Sequence, residues 1–433
     1  MSTKPNTWVR VYGPVILLVA LVAYAGAYLR WPGLAGQVDL LVYRFGAGRV
    51  LAGQDLYSVG LTGNPRTLLF DYTPFAALCS LPLTLLTSPA AQVIGLVVNA
   101  ALLVYVVRRT LVRLGVTTST GLWSLGALLV GLLCWLEPVR LSLQLGQVNL
   151  LILAVVVADL LGTDTRRWAG VGIGLVAGVK LTPALFVVFL VLTGRRRAAV
   201  VATVTFAATV VLGFLVLPRD SGYFWLRGGF DDVARITSDP VANTSLKGLF
   251  VRMHLAGVPT VAVTAALAVA ALAVAVLAWR RGQAVLGVAV VGMASAALSP
   301  FSWSHHWVWA VPLMVHLGYR AYVVGSRSAV VALWLSWGVF AGWVVRTTGD
   351  TPETGLLSLR PGGWWDVVIP AAYLAGFAVV LVGTAWWLRG RPYEIGATTG
   401  AELYPVTRTQ SAGAEPRGSV ARTSTVSPGN TVT

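Results

Sequence analysis

Long apolar runs recur along the chain, and the short polar segments between them carry most of the charged residues. A helix needs about 20 mostly apolar residues to cross a bilayer. Runs of this kind predict an all-α protein with many membrane-spanning helices. The predicted spans are 14–30, 89–107, 121–136, 147–163, 198–217, 260–279, 283–299, 304–323, 328–345 and 366–388.

Two other apolar regions, 68–86 and 168–193, do not fit a simple count of spans. The first is broken by Asp71, Pro74 and Pro82, and a proline inside a helix removes a backbone donor. The second is interrupted near its middle, and it is too long for one span and short for two.

Basic residues decide how these two regions are arranged, because lysine and arginine collect on the cytoplasmic side of membrane proteins. All the basic clusters fall on one side only if 68–86 does not cross and 168–193 crosses twice as a tight hairpin. The prediction is a bundle of about 12 transmembrane helices with both termini in the cytoplasm. The clusters are Lys4/Arg10, Arg108/Arg109/Arg113, Arg166/Arg167, Arg195–Arg197, Arg280/Arg281, Arg320/Arg327 and Arg389/Arg391.

The same arrangement predicts long outer loops at 31–88, 218–259 and 346–365. Acidic residues sort to this outer face, which is partial support, because carboxylates contribute little to orientation. They are Asp39, Asp71, Glu137, Asp220, Asp231, Asp232, Asp239, Asp350 and Glu353.

Composition agrees with a membrane protein that ends in a polar tail. The 433 residues are 56% hydrophobic and 11% charged, whereas soluble domains carry roughly 25% charged residues. The net charge of +16 would suggest a nucleic-acid partner in a soluble protein, but here it lies in topology clusters, so we expect none. We expect a transmembrane domain over 1–389 and a disordered cytoplasmic tail over 390–433, which is rich in Ser, Thr, Pro and Gly.

The stretch 37–57 follows the first apolar run directly. Tyr43, Ala47 and Val50 recur at three- and four-residue steps, which predicts a short helix lying on the membrane surface. Asp39 is the first carboxylate in the chain, and at a membrane–water boundary it is a candidate general base. The alternative is an ordinary polar loop between two spans.

Polar residues inside or beside a membrane are costly, so each needs a reason. Glu137 and Arg140 end the third span, and they could simply pair with each other. Gln147 and Asn149 open the fourth span, where their amides could bind a sugar or link helices.

Lys180 lies at the predicted outer tip of the hairpin, three residues before Pro183. A lysine there could meet an anionic lipid head group, or it could only extend to water. In the second outer loop, Asn243, Ser245, Lys247 and Arg252 suit hydroxyl and phosphate ligands, although a solvated loop explains them equally well.

His305 and His306 are adjacent at an outer span boundary, beside Trp303. Tryptophan is expected at an interface, but paired histidines are not. Neighbouring residues on a helix point about 100° apart, so the pair is poorly placed to chelate one metal ion. One or both imidazoles could instead donate hydrogen bonds to a phosphate.

Six segments together resemble the polytopic GT-C glycosyltransferases of family 87, and within it the actinobacterial polyprenol-phosphate-mannose-dependent α-1,2-mannosyltransferases. The resemblance runs from about Val9 to Trp387. The segments occur in the order QVDLLVYRFGAGRVLAGQDLY, FDYTPFAALCSLP, GQVNLLILAVVVADLL, GLVAGVKLTPALFVVFLVLTGRRR, NTSLKGLFVR and LSPFSWSHHWVW.

This resemblance implies a GT-C bundle that transfers mannose from a polyprenyl phosphate to a mannose-bearing glycolipid, such as a phosphatidylinositol mannoside or lipomannan, on the extracytoplasmic side of the cell membrane. It implies that Asp39 is the catalytic base and that His305 and His306 lie around the donor phosphate. We expect Lys180, Lys247 or Arg252 to assist there. Candidate contacts to the acceptor or to a sugar are Tyr43, Asp71, Tyr72, Glu137, Gln147, Asn149, Asn243, Ser245 and Trp303.

We expect no metal ion and no other cofactor, because Leu40 and Leu41 follow Asp39 and no second acid stands beside it. Two departures from the resemblance, Thr73 and Thr244, leave the acceptor open. The alternatives are an arabinosyl or protein mannosyl transferase that uses the same kind of donor, or a lipid or sugar transporter. A transporter would show matching broken helices in two halves, and only 168–193 is broken in this way.

Overall fold

The computed structural model describes residues 7–162, 167–230, 240–342, 345–346, 352–359 and 362–390. Helices dominate these ranges, and the strands there are one pair of two residues each, as the all-α prediction requires. Predicted features outside the described ranges are the tail beyond Gly390, Lys4, Arg166, Arg391, Asp231, Asp232, Asp239 and Asp350.

We number the helices in chain order. They are α1 Thr7–Arg30, α2 Val38–Leu51, α3 Pro74–Cys79, α4 Ser88–Arg113, α5 Ser119–Leu133, α6 Glu137–Leu145, α7 Asn149–Leu160, α8 Val171–Val179, α9 Leu185–Leu192, α10 Arg196–Val216, α11 Pro218–Ser221, α12 Leu246–Arg252, α13 Val258–Arg280, α14 Ala284–Leu298, α15 Ala310–Tyr322, α16 Arg327–Phe340 and α17 Trp365–Arg389.

Shorter elements complete the described part of the chain. The 3₁₀ turns are Pro32–Ala35, Leu81–Leu85, Thr182–Ala184, Pro240–Ala242, Ser304–Trp307 and Leu356–Ser358, and Gly222–Leu226 is a π-helical turn. Strands β1 Val345–Arg346 and β2 Glu353–Thr354 pair antiparallel.

Among the described residues, five helices are long and apolar enough to cross a membrane: α1, α4, α10, α13 and α17. Helices α6 and α7 would make a sixth span if they count as one, but the axis bends by 117° between them. The protein is therefore a multi-pass membrane protein. Its other apolar helices are shorter than a span, so the count of about 12 stays a prediction.

Helix α14 is the centre of the bundle. Every residue from Ala284 to Ala297 is buried, and most of them are Ala, Val or Gly. Small side chains let neighbouring helices approach closely inside a membrane. Because α14 is fixed on all sides, the turn Ser304–Trp307 that follows it is also held in a defined place.

Region 68–86 contains no helix long enough to cross, as predicted. Helix α3 has six residues, and a 3₁₀ turn follows it. The Thr73 hydroxyl caps α3 by accepting from the Ala76 amide at 3.1 Å, and it also bonds to the Gly178 carbonyl at 2.5 Å. The region is thereby attached to the end of α8.

Region 168–193 does reverse direction at Lys180, but each helical arm is short. Helices α8 and α9 have nine and eight residues, which gives roughly 13 Å of helix each against a hydrocarbon layer of about 30 Å. Gly170 packs on Ala198 and Gly178 packs on Thr209, so α8 runs beside α10 and ends before α10 does. Each helical arm alone is therefore too short to cross the membrane, and Lys180 lies at a half-buried turn between them.

The predicted helix in 37–57 is present as α2. It packs into the molecule, because Val42, Tyr43, Gly46 and Ala47 are buried. Its start is fixed by Gln37, whose backbone amide donates to the Gln144 carbonyl at 2.9 Å. Asp39 is thereby placed in the first turn of α2, beside the end of α6.

Candidate active site

A cavity of about 610 Å³ lies where α2, region 68–72, α6, the turn Ser304–Trp307 and residues 352–358 meet. Nine of the residues predicted for the site line it: Asp39, Tyr43, Asp71, Tyr72, Glu137, Gln147, Trp303, His305 and His306. They come from four separate parts of the sequence, so the fold brings together most of the predicted site.

Asp39 is held by Gln147, whose side-chain amide donates a hydrogen bond to its carboxylate. Burial raises the pKa of Asp39 to about 6, and the nearby Asp71 carboxylate adds to this rise. The hydrogen bond from Gln147 and the charge of Lys180 act in the opposite direction. A carboxyl with a pKa near neutrality suits a general base.

Three donors fix the orientation of the Gln147 amide. The hydroxyls of Tyr72 and Tyr43 lie 3.1 and 3.2 Å from its Oε1 atom, and Asn149 Nδ2 lies 3.2 Å from it. Because the oxygen faces these groups, the nitrogen of the amide must face Asp39. Gln147 therefore orients the carboxylate and links the start of α7 to α2, and its place in the cavity wall leaves sugar binding a prediction.

Lys180 joins this network through Asn149 and His306. Its Nζ atom is 3.1 Å from Asn149 Oδ1 and 2.9 Å from His306 Nε2, and it lies 5.3 Å from the centre of the Tyr72 ring. The backbone amide of Trp303 donates to His306 Nδ1 at 3.3 Å, so both ring nitrogens of His306 have protein partners. The predicted lysine and histidine are thus neighbours, although 126 residues separate them.

His305 is 3% exposed and lines the cavity, and its Nε2 atom is buried without a hydrogen-bond partner among the described residues. The rings of His305 and His306 meet edge to face at 4.8 Å. Both rings therefore lie in the cavity wall, and His305 is the one with a nitrogen that lacks a partner among the described residues.

Glu137 is buried, and its carboxylate accepts hydrogen bonds from the hydroxyls of Tyr373 and Ser304. Arg140 lies close enough to Glu137 to interact with it electrostatically. The simple pair that the sequence allowed is therefore part of a larger network that reaches α17.

Six predicted site residues do not line the cavity: Asn149, Lys180, Asn243, Ser245, Lys247 and Arg252. The Asn243 side chain accepts from the backbone amides of Ser245 and Ser302 and donates to the Pro300 carbonyl. Arg252 donates to the Asn243 carbonyl at 2.5 Å, and Lys247 is exposed. This segment is therefore not the solvated loop that the sequence also allowed, because Asn243 and Thr244 bond to the 300–302 backbone and Ser245 caps α12.

The cavity wall also contains polar residues that the predicted set omits, namely Arg140, Gln144, Ser304, Glu353, Thr354 and Ser358. Arg140 and Gln144 are one helical turn apart on α6, and Arg140 Nη1 donates to Gln144 Oε1 at 2.6 Å. Their four-residue spacing, which places both side chains on one face of a helix, could have identified this pair from the sequence. Nothing near Thr354 or Ser358 in the sequence marks a site.

Within the described ranges, no three His, Cys, Asp or Glu side chains form a group that could hold a metal ion. Asp71 does lie near enough to raise the pKa of Asp39, so a second acid is present, although not beside Asp39 in the sequence. The absence of a cofactor stays a prediction.

Comparison with known proteins gives one consistent result. The sequence profile of glycosyltransferase family 87 matches residues 70–300. A polyprenol-phosphate-mannose-dependent alpha-(1-2)-phosphatidylinositol pentamannoside mannosyltransferase of Mycobacterium tuberculosis is 34% identical over 396 residues, 86% of each chain. Its Mycolicibacterium smegmatis namesake is 33% identical over 87% of this chain and 90% of its own.

A second M. tuberculosis protein, named polyprenol-phosphate-mannose-dependent alpha-(1-2)-phosphatidylinositol mannoside mannosyltransferase, is 29% identical over 90% of this chain and 92% of its own. No solved structure matches the chain. The family profile covers more than half of the sequence, and the relatives cover most of it. The chain therefore belongs to glycosyltransferase family 87.

Proposed function

We propose that this enzyme transfers mannose from polyprenyl-phosphate-mannose to a 2-hydroxyl of a phosphatidylinositol mannoside, forming an α-1,2 linkage. The similar mycobacterial proteins carry this donor, linkage and class of acceptor in their names. One structural observation carries the proposal: the Asp39 carboxylate and the His306 imidazole, which contacts Lys180, line one cavity.

Asp39 acts as the base. It takes the proton from the acceptor hydroxyl while that oxygen attacks the anomeric carbon of mannose. The new bond forms as the bond between the anomeric carbon and the phosphate oxygen breaks, and the electron pair leaves on polyprenyl phosphate. A single displacement inverts a β-linked donor into an α-linked product. Polyprenyl phosphate is a good leaving group, so the step requires no general acid.

Lys180, His305 and His306 stabilise the negative charge that develops on the phosphate. Lys180 contacts His306, and the buried His305 Nε2 atom has a hydrogen-bonding position to offer. Lys180 lies behind the cavity wall but contacts His306, which lines it. Lys247 is exposed and Arg252 bonds to the Asn243 carbonyl, so we leave both out of this role. The phosphate ligands are thereby reduced from five candidates to three.

Replacing Asp39 with Asn tests the base directly. An amide keeps the shape and most hydrogen bonds of the carboxylate but cannot accept the proton. We expect mannose transfer to fall by about 10²- to 10⁴-fold while the protein stays folded. The measurement is transfer of labelled mannose from polyprenyl-phosphate-mannose to phosphatidylinositol mannosides in membranes.

Asp55→Asn is the matched control, because Asp55 is an exposed carboxylate outside the cavity. It should leave the rate unchanged. Retention of more than a few per cent of activity by the Asp39 variant, with normal expression, would argue against the assignment.

The pH dependence of transfer follows from the raised pKa of Asp39. Its carboxyl titrates at about 6 rather than 3.8, so it is protonated and inactive as a base below that pH. We expect kcat/KM to fall about tenfold per pH unit below pH 6 and to level off above it. A profile that stays flat down to pH 5 would show that another group is the base.

The reaction needs no divalent metal ion, because the developing charge is met by a lysine and two imidazoles. Transfer should therefore continue in purified enzyme treated with EDTA and then assayed without added metal. If EDTA abolishes transfer and added magnesium or manganese restores it, the enzyme requires a metal ion and this proposal is wrong. Rescue by the metal would also show that EDTA had not simply damaged the enzyme.

The active site faces the extracytoplasmic side, with both termini in the cytoplasm. The support is the distribution of Lys and Arg clusters along the sequence. A cysteine at exposed Asn64, in a chain with Cys79 and Cys134 replaced by Ala, should react with an impermeant maleimide in intact cells. A cysteine at exposed Arg108 should react only after permeabilisation, and the reverse pattern would invert the topology.

A further inference from the structure

Arg140 lines the cavity that contains Asp39, yet no step of the proposed reaction uses it. Its side chain is 5% exposed, and its Nε atom is buried without a hydrogen-bond partner among the described residues. Leaving a buried charged donor unsatisfied is unfavourable. That atom is covered by protein, but the residue lines the cavity, so the rest of its guanidinium can donate to a ligand there.

The surroundings of Arg140 hold its guanidinium in place. Nη1 donates to Gln144 Oε1 at 2.6 Å, and Tyr24 and Tyr28 of α1 lie close enough to interact electrostatically. One arm of the planar group is therefore fixed. A fixed guanidinium with a remaining donor loses little side-chain entropy when it binds a ligand.

Glu137, three residues earlier on α6, lines the same cavity. Its carboxylate accepts from Tyr373 and Ser304, and an ionised carboxylate has about four acceptor positions, so capacity remains. Arg140 and Glu137 together offer donors and acceptors with compensating charges. This combination suits a neutral polyol better than a phosphate, which Glu137 would repel.

The size of the cavity leaves room for a second sugar. Its volume of about 610 Å³ lies in the range of roughly 300–1,000 Å³ typical of pockets for drug-sized ligands, which are larger than one hexose. The donor sugar must lie beside its phosphate, near His306, and within reach of Asp39. The acceptor sugar then requires its own contacts.

We propose that Arg140 and Glu137 bind hydroxyl groups of the acceptor mannoside, so that this part of α6 is the acceptor subsite. This inference rests on the proposed function. It assigns Arg140 to substrate binding rather than to chemistry, since the base and the phosphate contacts come from other residues.

Arg140→Gln should raise the KM for the glycolipid acceptor by about 10- to 100-fold, the size of a lost hydrogen bond to a charged group. The KM for polyprenyl-phosphate-mannose should stay within about twofold of wild type. Both constants are measured in purified enzyme, each with the other substrate saturating. Arg108→Gln is the matched control, because Arg108 is exposed and lies outside the cavity, and it should change neither constant.

Deoxy acceptors, each lacking one hydroxyl, distinguish an Arg140 that binds the acceptor from an Arg140 that only supports the fold. Removing the hydroxyl that Arg140 contacts should raise the acceptor KM of the wild type about tenfold and that of Arg140→Gln by less than twofold. A purely structural arginine would give the same loss for every deoxy acceptor in both enzymes. Equal losses throughout would overturn the proposal.

Gln144→Leu provides a second variant in case Arg140→Gln does not fold, because it removes the partner that fixes the guanidinium. It should also raise the acceptor KM, by a smaller factor. An unchanged acceptor KM in the variant that folds, or an effect confined to the donor, would overturn the acceptor subsite. Wild-type enzyme that transfers nothing from polyprenyl-phosphate-mannose would instead overturn the proposed function.

Discussion

The hydrogen bond from Gln147 to Asp39 is the contact on which the candidate site depends. It exists because α6 ends at Gly146, whose φ of 70° turns the chain before α7 begins. A Cβ atom there would press on Leu40 and on the Gln37 side chain, so glycine is required for this close approach. The break between α6 and α7 thereby places the Gln147 amide next to the Asp39 carboxylate of α2.

Buried charge at this site is compensated across long distances in the sequence. Lys180 lies at a turn within the bundle, and the carboxylates of Asp39 and Asp71 are its nearest opposite charges. A lone buried ammonium would be very unfavourable. When the phosphate of a lipid-linked sugar enters, it provides a new counter-charge for Lys180, while Asp39 remains available for the acceptor. The short α8–α9 hairpin is therefore what places a cation within reach of the base.

How much the sequence could predict differs from residue to residue. Periodicity along 37–57 was sufficient for α2, and the isolated position of Asp39 was sufficient to mark it. Asn243 and Ser245 lie outside the cavity wall. Asn243 bonds to backbone groups near Ser302, which local spacing cannot reveal, and Ser245 caps α12 at the Gly248 amide. Arg140 was seen only as a partner of Glu137. That its Nε atom is buried without a hydrogen-bond partner follows from how the helices pack, which the sequence does not show.

Two buried nitrogens in the cavity wall, His305 Nε2 and Arg140 Nε, share the same condition: neither has a protein acceptor among the described residues. Each lowers the stability of the empty enzyme, since a buried donor without an acceptor costs roughly 1–3 kcal/mol. In the proposed complex, phosphate and hydroxyl oxygens lie beside these two side chains, whereas an apolar lipid chain would offer no acceptor. We therefore expect the cavity to prefer a sugar phosphate together with a second polyol over hydrocarbon, although hydrocarbon is far more abundant in the membrane.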